Sequence, residues 1–268
     1  MLRKKADWVR RKLLWLNQLA PETRVASSLS SVEIFTSLYY GDVLHFDAND
    51  PYSDERDRCI ISKGHGSICM YPILADLGFF AKEELTKICQ EDSFLGGIPD
   101  PVIPGYETMN GSLGHGLGVG CGIALALKKR GSDRSVFVVC GDGELHEGSN
   151  WEAIMFAAHH RLDNLNLIID NNSICMLGFT DDVVSHDGFL ERFKAFGWSV
   201  SGVNGHETDL LVPALRQMKQ SKDSKPKVLV ADTVKGRGVS NLENQPLSHV
   251  FAADQNEVSQ LLEGWEDG

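Results

Sequence analysis

Residues 136 to 172, VFVVCGDGELHEGSNWEAIMFAAHHRLDNLNLIIDNN, contain two short strand-like runs, the apolar Val136 to Cys140 and Leu165 to Ile169, joined by a segment long enough for one helix. Two such runs with a helical connection read as neighbouring parallel strands. The first runs out into Gly141-Asp142-Gly143 and the second into Asn171-Asn172. Successive parallel strands end along one edge of their sheet. A carboxylate from Asp142 and a carboxamide from Asn172 therefore meet there as oxygen ligands for a hard cation. Gly143 lets the backbone come close to whatever the cation holds. A Gly-Asp-Gly alone is usually just a turn; the spacing, the paired Asn and the two strands make a site of it.

The alternation continues outward from this stretch. Leu2, Val9, Leu13 and Leu16 keep one face of an amphipathic first helix with a basic outer side, and Trp8 and Trp15 stand on it seven positions apart. Ser30-Ser31-Val32-Glu33 has the spacing of a capping box and opens a second helix to about Tyr40. Cys59 to Ile61 predicts a strand, 67–77 and 81–90 predict helices, and a Pro/Gly-rich loop runs from 92 to 110 before a helix from Ser112. Then come strand 135–140, helix 148–160, strand 165–170, helix 187–196, strand 198–203, helix 207–220 and strand 227–232. Four late strands separated by helices specify an α/β fold with a doubly wound, mostly parallel sheet, and residues 1–268 read as one domain. A structureless loop of roughly nineteen residues inside such a domain is more often functional than idle.

Composition excludes several classes of function. With 42% hydrophobic and 24% charged residues the chain can bury one large core, and a net charge of −11 argues against a surface for nucleic acid or another polyanion. An anionic ligand must then be held by local devices such as a metal, backbone N–H groups and histidine. Six cysteines, at 59, 69, 89, 121, 140 and 175, form no CxxC pair and fall mostly in apolar segments, which points to buried reduced thiols and a cytoplasmic location. Arg3-Lys4-Lys5 is not followed by an apolar signal region, and no apolar run is long enough to span a membrane.

Gly111-Ser112-Leu113-Gly114-His115-Gly116-Leu117-Gly118-Val119-Gly120-Cys121-Gly122 carries more glycine than a helix tolerates without reason, since each costs about 0.8–1.0 kcal/mol against Ala. Close backbone approach supplies the reason, whether to a ligand or to a packed neighbour. Among the histidines, His159 and His160 sit mid-helix and read as structural. His65 follows a strand through Ser-Lys-Gly, and His249 stands fifteen residues after Val234.

Ser62-Lys63-Gly64-His65-Gly66, Asn110 to Gly116, the block 141–153, and Val234-Lys235-Gly236-Arg237-Gly238-Val239 with His249 behind it resemble the motifs of thiamine diphosphate enzymes, and more narrowly of the transketolase family. The resemblance runs from about Leu29 to His249 in the family's order, and it is to the amino-terminal, diphosphate-binding part of the family. It implies that thiamine diphosphate is held by His65, Gly111, Ser112, Leu113, Gly141, Asp142, Gly143, Glu144, Asn172 and His249. It also implies Mg²⁺, with Ca²⁺ or Mn²⁺ as substitutes, on Asp142, Asn172 and the backbone carbonyl of Ile174. Catalytic roles fall to His65 and His249, and Glu147 matches an acidic residue at the subunit interface that helps connect two active sites. The implied reaction is transfer of a two-carbon ketol unit from a ketose-type sugar or sugar phosphate to an aldehyde. The implied partner is a second subunit carrying the pyrimidine-binding and carboxy-terminal domains, with the Glu that activates the cofactor, in an α2β2 assembly.

Two departures bear on the substrate. Thr23-Arg24-Val25-Ala26-Ser27-Ser28-Leu29-Ser30 stands where the family has Gly-His-Pro-Gly-Gly-Ser-Leu-Ser, and Gly96-Gly97-Ile98-Pro99 where it has Gln-Gly-His-Pro. Arg24 and Ile98 thus replace histidines that touch donor hydroxyls in the family. An Arg brings a fixed charge and a planar fork, and an Ile donates nothing, so the sugar-side pocket differs. The plainer reading is that Arg24 pairs with a carboxylate at a subunit contact and Ile98 fills a gap. His115 replaces a Gln and His146 lies where Gln is common, with roles left open. Three functions therefore stand side by side: one component of a split transketolase; one component of a 2-oxoacid-using enzyme, either E1 α-like or deoxyxylulose phosphate synthase-like; and a catalytically silent cofactor-binding subunit.

Overall fold

The computed structural model describes residues 1–109, 111–176, 178–185 and 188–265. Asn110, at the head of the glycine motif, and Asp187, at the start of the helix expected over 187–196, lie outside the described residues. Strands β1 (Arg58–Ile61), β2 (Val136–Gly141), β3 (Leu165–Asn171), β4 (Ser199–Asn204) and β5 (Lys227–Asp232) pair in parallel in the order β1-β2-β3-β5-β4. The described helices are α1 (Leu2–Leu19), α2 (Val25–Leu29), α3 (Val32–Tyr40), α4 (Met70–Asp76), α5 (Gly116–Lys129), α6 (Gly148–His159), α7 (Thr180–Val183), α8 (Phe189–Ala195), α9 (Thr208–Gln220) and α10 (Gln255–Leu262).

Alternate strand residues serve opposite faces, and both faces are covered. Cys59, Ile61, Phe137, Val139, Ile168, Leu229 and Ala231 pack with α1, α3, α4 and α9. Their neighbours Ile60, Val136, Val138, Cys140, Leu165, Leu167, Ile169, Val228 and Val230 pack with α5, α6 and α8. A strand buried on both sides is apolar at most positions, which is why β2 reads as an unbroken run; β3 departs from it at Asn166 and Asp170, both buried. The doubly wound parallel sheet is the fold the sequence predicts. β4 ends up at the sheet edge and is half-exposed along its length. The described cysteines are free thiols, and Cys59, Cys69, Cys121 and Cys140 are buried, with burial pushing Cys59 and Cys121 up to about 12. No described helix is long and apolar enough to cross a membrane.

Several local expectations give way to tertiary contacts. The capping box does not form: the Ser30 and Ser31 hydroxyls donate to Asp170, and Glu33 accepts from Arg10 and faces His206. Buried charges outrank a local cap because leaving them unpaired costs more. α1 is not basic along its whole outer side, since Lys12 is buried with its ammonium 4.2 Å from the centre of the Trp15 ring. The helices expected over 67–77 and 81–90 are shortened to α4, entered through a tight 3-10 turn at Gly64–Cys69, and to a 3-10 segment at Lys82–Lys87. The helix expected from Ser112 begins at Gly116.

The glycines of α5 divide into two sets. A Cβ on Gly120 would lie 2.5 Å from Cγ2 of Val138 in the middle of β2, so this glycine lets the helix backbone sit directly on the sheet. A Cβ on Gly118 or Gly122 would touch nothing. Gly118→Ala should therefore stabilise the chain by up to about 1 kcal/mol through helix propensity. Gly120→Ala should destabilise it, because overpacking costs about 1–3 kcal/mol and exceeds that gain. Urea midpoints of the two variants check this, and equal shifts in the same direction would contradict the packing account.

Candidate active site

Gly141 at the end of β2 pairs with Asp170 in β3, so Asp142 and Asn172 both leave the sheet at its carboxyl edge. β1 runs into Ser62-Lys63 and the turn that carries His65, and β5 runs into the loop with Lys235. These strand ends open into a cavity of about 400 Å³. It is lined by Arg24, His65, Ile98, Gly111, Leu113, Gly141, Asp142, Gly143, Glu144, Glu147, Asn172, Ile174 and His249, together with Lys63, His146 and Lys235. Of the residues expected at the site only Ser112 stands apart. It is exposed, with its hydroxyl 3.3 Å from Nδ1 of His115, and neither lines the cavity.

Asp142 is 1% exposed and meets no cationic side chain within ion-pairing distance among the described residues. Burial, with Asp170 close by, pushes its carboxyl up to about 6. A buried carboxylate left without a cation is what a metal ligand looks like before the metal binds. The Oδ1 atom of Asn172 accepts the N–H of Ile174 at 3.2 Å across Ser173, which is held at a φ of 61°. That left-handed turn in a non-glycine residue brings the amide and the Ile174 carbonyl onto one bend, and such strain gathers at functional sites. One carboxylate, one amide and one carbonyl are the oxygen set a hard divalent cation takes. Gly143 is needed for close approach, though to protein: a Cβ there would lie 2.9 Å from Cβ of Cys175.

The rest of the cavity is electropositive. Lys235 is buried with its ammonium 3.3 Å from the carbonyl of Ile174, and burial followed by repulsion from Lys63 lowers it to about 8. His65 and His249 stack edge to face with centroids 5.0 Å apart. Burial first, then Lys63, His249 and Lys235, hold His65 well below the usual range; burial, Lys235 and Arg24 hold His249 at about 4. Both rings are neutral at neutral pH, so they offer an oxygen a hydrogen bond and not a charge. Arg24 places Nη1 2.7 Å from Nε2 of His249. Ile98 stands at the cavity mouth, 55% exposed. Glu144 is tied down by the Ser62 hydroxyl and the N–H groups of Gly114 and Gly141, and burial raises it. Glu147 is exposed at the amino end of α6.

Sequence reasoning passed over Asp170, Lys63 and Lys235. Asp170 is fully buried and ion-paired to Lys63. Burial pushes its carboxyl up, and the Lys63 ammonium with the Thr233 and Ser30 hydroxyls outweighs this and brings it to about 2. The signal was available: a charged residue closing an apolar run on a doubly covered strand needs a partner.

Residues 24–267 match the thiamine diphosphate binding domain of transketolase. This chain belongs to the transketolase family. It is 41% identical over 268 residues to one of the subunits of the apulose-4-phosphate transketolase of Actinobacillus succinogenes, covering 99% of this chain and 96% of that one. It is 35% identical over 226 residues to a 6-deoxy-6-sulfo-D-fructose transketolase subunit of a Clostridium species, covering 84% and 82%. The crystal structure of Campylobacter jejuni transketolase superposes with a TM-score of 0.90 at 31% identity, over 98% of this chain. The chain spans 42% of that transketolase's length.

The Lys63–Asp170 pair yields a direct test. Lys63→Met leaves a carboxylate buried without its cation, so stability should fall by about 3–5 kcal/mol, while pairing it with Asp170→Leu should recover much of the loss. Guanidinium unfolding measures both, and a single variant as stable as wild type would overturn the assignment.

Proposed function

We propose that this chain is the diphosphate-binding subunit of a two-component transketolase, residues 1–268 acting as one domain. It transfers a two-carbon ketol unit from a ketose-type donor to an aldehyde. The observation that carries the reading is the buried, cation-less Asp142 beside Asn172 and the Ile174 carbonyl at the carboxyl edge of the sheet. These three would hold Mg²⁺, with Ca²⁺ or Mn²⁺ able to substitute, and that cation would supply positive charge for binding the diphosphate. Lys235 and Lys63 offset the remaining negative charge from inside the cavity. When bound, thiamine diphosphate supplies the electron sink for cleavage of the carbon–carbon bond beside the donor carbonyl. His65 and His249, neutral and close together, donate hydrogen bonds to oxygens of the donor.

The donor is a sugar with an anionic substituent, a reading supported by the phosphate and sulfo groups in the names of the relatives' substrates. A second subunit completes the site in an α2β2 assembly, and the free thiols fit a cytoplasmic location. Ile98, Met109, Met176, Phe179, Val183, Val184, Leu247, Val250 and Phe251 are all exposed on the segments that build the cavity, and Val119, Met155 and Phe156 are exposed on α5 and α6. Apolar surface left exposed on these segments supports a partner that covers it. Co-purification with the partner and a screen of ketose phosphates, free ketoses and pyruvate for two-carbon transfer tests the reading; transfer from pyruvate alone would replace it with the 2-oxoacid reading.

Two outcomes follow for the protein itself. Asp142→Ala should abolish calorimetric binding of thiamine diphosphate with Mg²⁺ to the reconstituted complex while the fold persists; unchanged affinity would sink the metal assignment. The chain purified without a partner should fold and yet show no two-carbon transfer, and turnover by the chain alone would refute the two-component account.

A further inference from the structure

Arg24 and His249 are 225 positions apart in sequence and in hydrogen-bond contact in the fold, Nη1 to Nε2 at 2.7 Å. A guanidinium has N–H donors and no acceptor, and it stays protonated in proteins. The contact therefore has one possible sense: Arg24 donates and Nε2 accepts through its lone pair. A proton on Nε2 would set N–H against N–H at that distance, so the imidazole proton must sit on Nδ1.

Three further observations agree. Arg24 has no carboxylate within ion-pairing distance among the described residues, so none of them draws its guanidinium away from the ring. No hydrogen bond to Nδ1 of His249 is found among the described residues, although the ring is 7% exposed and lines the cavity. The charged groups that lower this imidazole, Lys235, Arg24 and Lys63, are all cations, and the neighbouring ring is the imidazole of His65. Arg24 is also anchored at its backbone. It immediately precedes α2, which is buried at every residue and bound to the Lys235 loop through the Gly236 N–H to the Ala26 carbonyl at 3.0 Å.

We propose that Arg24 is a positioning residue that locks His249 in its Nδ1–H tautomer, making it a hydrogen-bond donor to the donor sugar through Nδ1 and denying it any proton exchange at Nε2. The inference rests on the ketol-transfer reading of the cavity only for the identity of what Nδ1 meets. Replacing a histidine at this position by Arg changes the neighbour of His249 from a group that can donate or accept into one that can only donate. The tautomer of His249 then stops depending on the substrate's own hydrogen bonds.

Two measurements test it. Long-range ¹H–¹⁵N correlation spectra of the ¹⁵N-histidine-labelled full chain, with the His249→Gln spectrum for assignment, report the tautomer without cofactor or partner. Wild type and Arg24→Lys, whose ammonium also only donates, should show a protonated Nδ1 and a bare Nε2. Arg24→Met should show a mixture or the Nε2–H form. A wild-type Nε2–H tautomer, or an Nδ1–H form that persists in Arg24→Met, would overturn the proposal. In the reconstituted enzyme, Arg24→Met should lower donor kcat/KM by roughly tenfold, the scale of one hydrogen bond, and should lower it no further in a His249→Gln background. Additive losses would mean that Arg24 acts on the substrate directly and not through His249. A confirmed tautomer with no two-carbon transfer from any donor would leave the lock standing and remove the functional reading.

Discussion

One buried carboxylate organises the carboxyl edge of the sheet. Asp170, near the end of β3, accepts from Lys63 after β1, from Ser30 and Ser31 between α2 and α3, and from Thr233 after β5. Each of those segments carries a cavity residue within a few positions: His65 beyond Lys63, Arg24 before Ser30, Lys235 beyond Thr233 and Asn172 beyond Asp170 itself. Taking two ions out of water costs several kcal/mol each, and their attraction repays this only with further hydrogen bonds, which the three hydroxyls provide. The pair's contribution is to geometry more than to stability: four chain segments distant in sequence are held to one point.

Two other buried carboxylates extend the same device. Glu144 joins the turn after β2 to the glycine loop through the Ser62 hydroxyl and the Gly114 and Gly141 N–H groups. Glu33 joins α3 to Arg10 of α1 and to His206, whose Nε2 accepts the Val234 N–H at 2.8 Å beside Lys235. Asp142 lacks the charged partner of Glu33 and Asp170: among the described residues no cation pairs with it, and beyond backbone hydrogen bonds at Gly143 and Ser173 it accepts one long side-chain bond, from Thr180 at 3.5 Å. In a site where the other buried acids are paired or fully hydrogen-bonded, that difference is what supports Asp142 as the proposed metal ligand.

The fold was legible in the sequence because strands covered on both faces are mostly apolar, and the edge on which Asp142 and Asn172 meet follows from parallel pairing alone. What local pattern could not show were contacts between distant segments. Ser30 and Ser31 look like helix caps because capping is the local use of a serine; they serve Asp170, about 140 positions away. α2 is too short for periodicity to reveal. The family motifs delivered Lys63 and Lys235 as letters in a pattern, and only burial shows that both ammonium groups lie inside the protein. Arg24 was visible as a departure, but its partner was not, since nothing in either segment points to the other.

The central claim is that a divalent cation at Asp142, Asn172 and the Ile174 carbonyl anchors the cofactor at the carboxyl edge of β2 and β3. The most direct measurement is an anomalous difference map from crystals of the complex grown with Mn²⁺ and thiamine diphosphate. The account predicts a peak about 2.0–2.4 Å from an oxygen of each of these three residues, in contact with the diphosphate. A peak elsewhere in the cavity, or a diphosphate held by Lys63 and Lys235 with no metal beside Asp142, would contradict it.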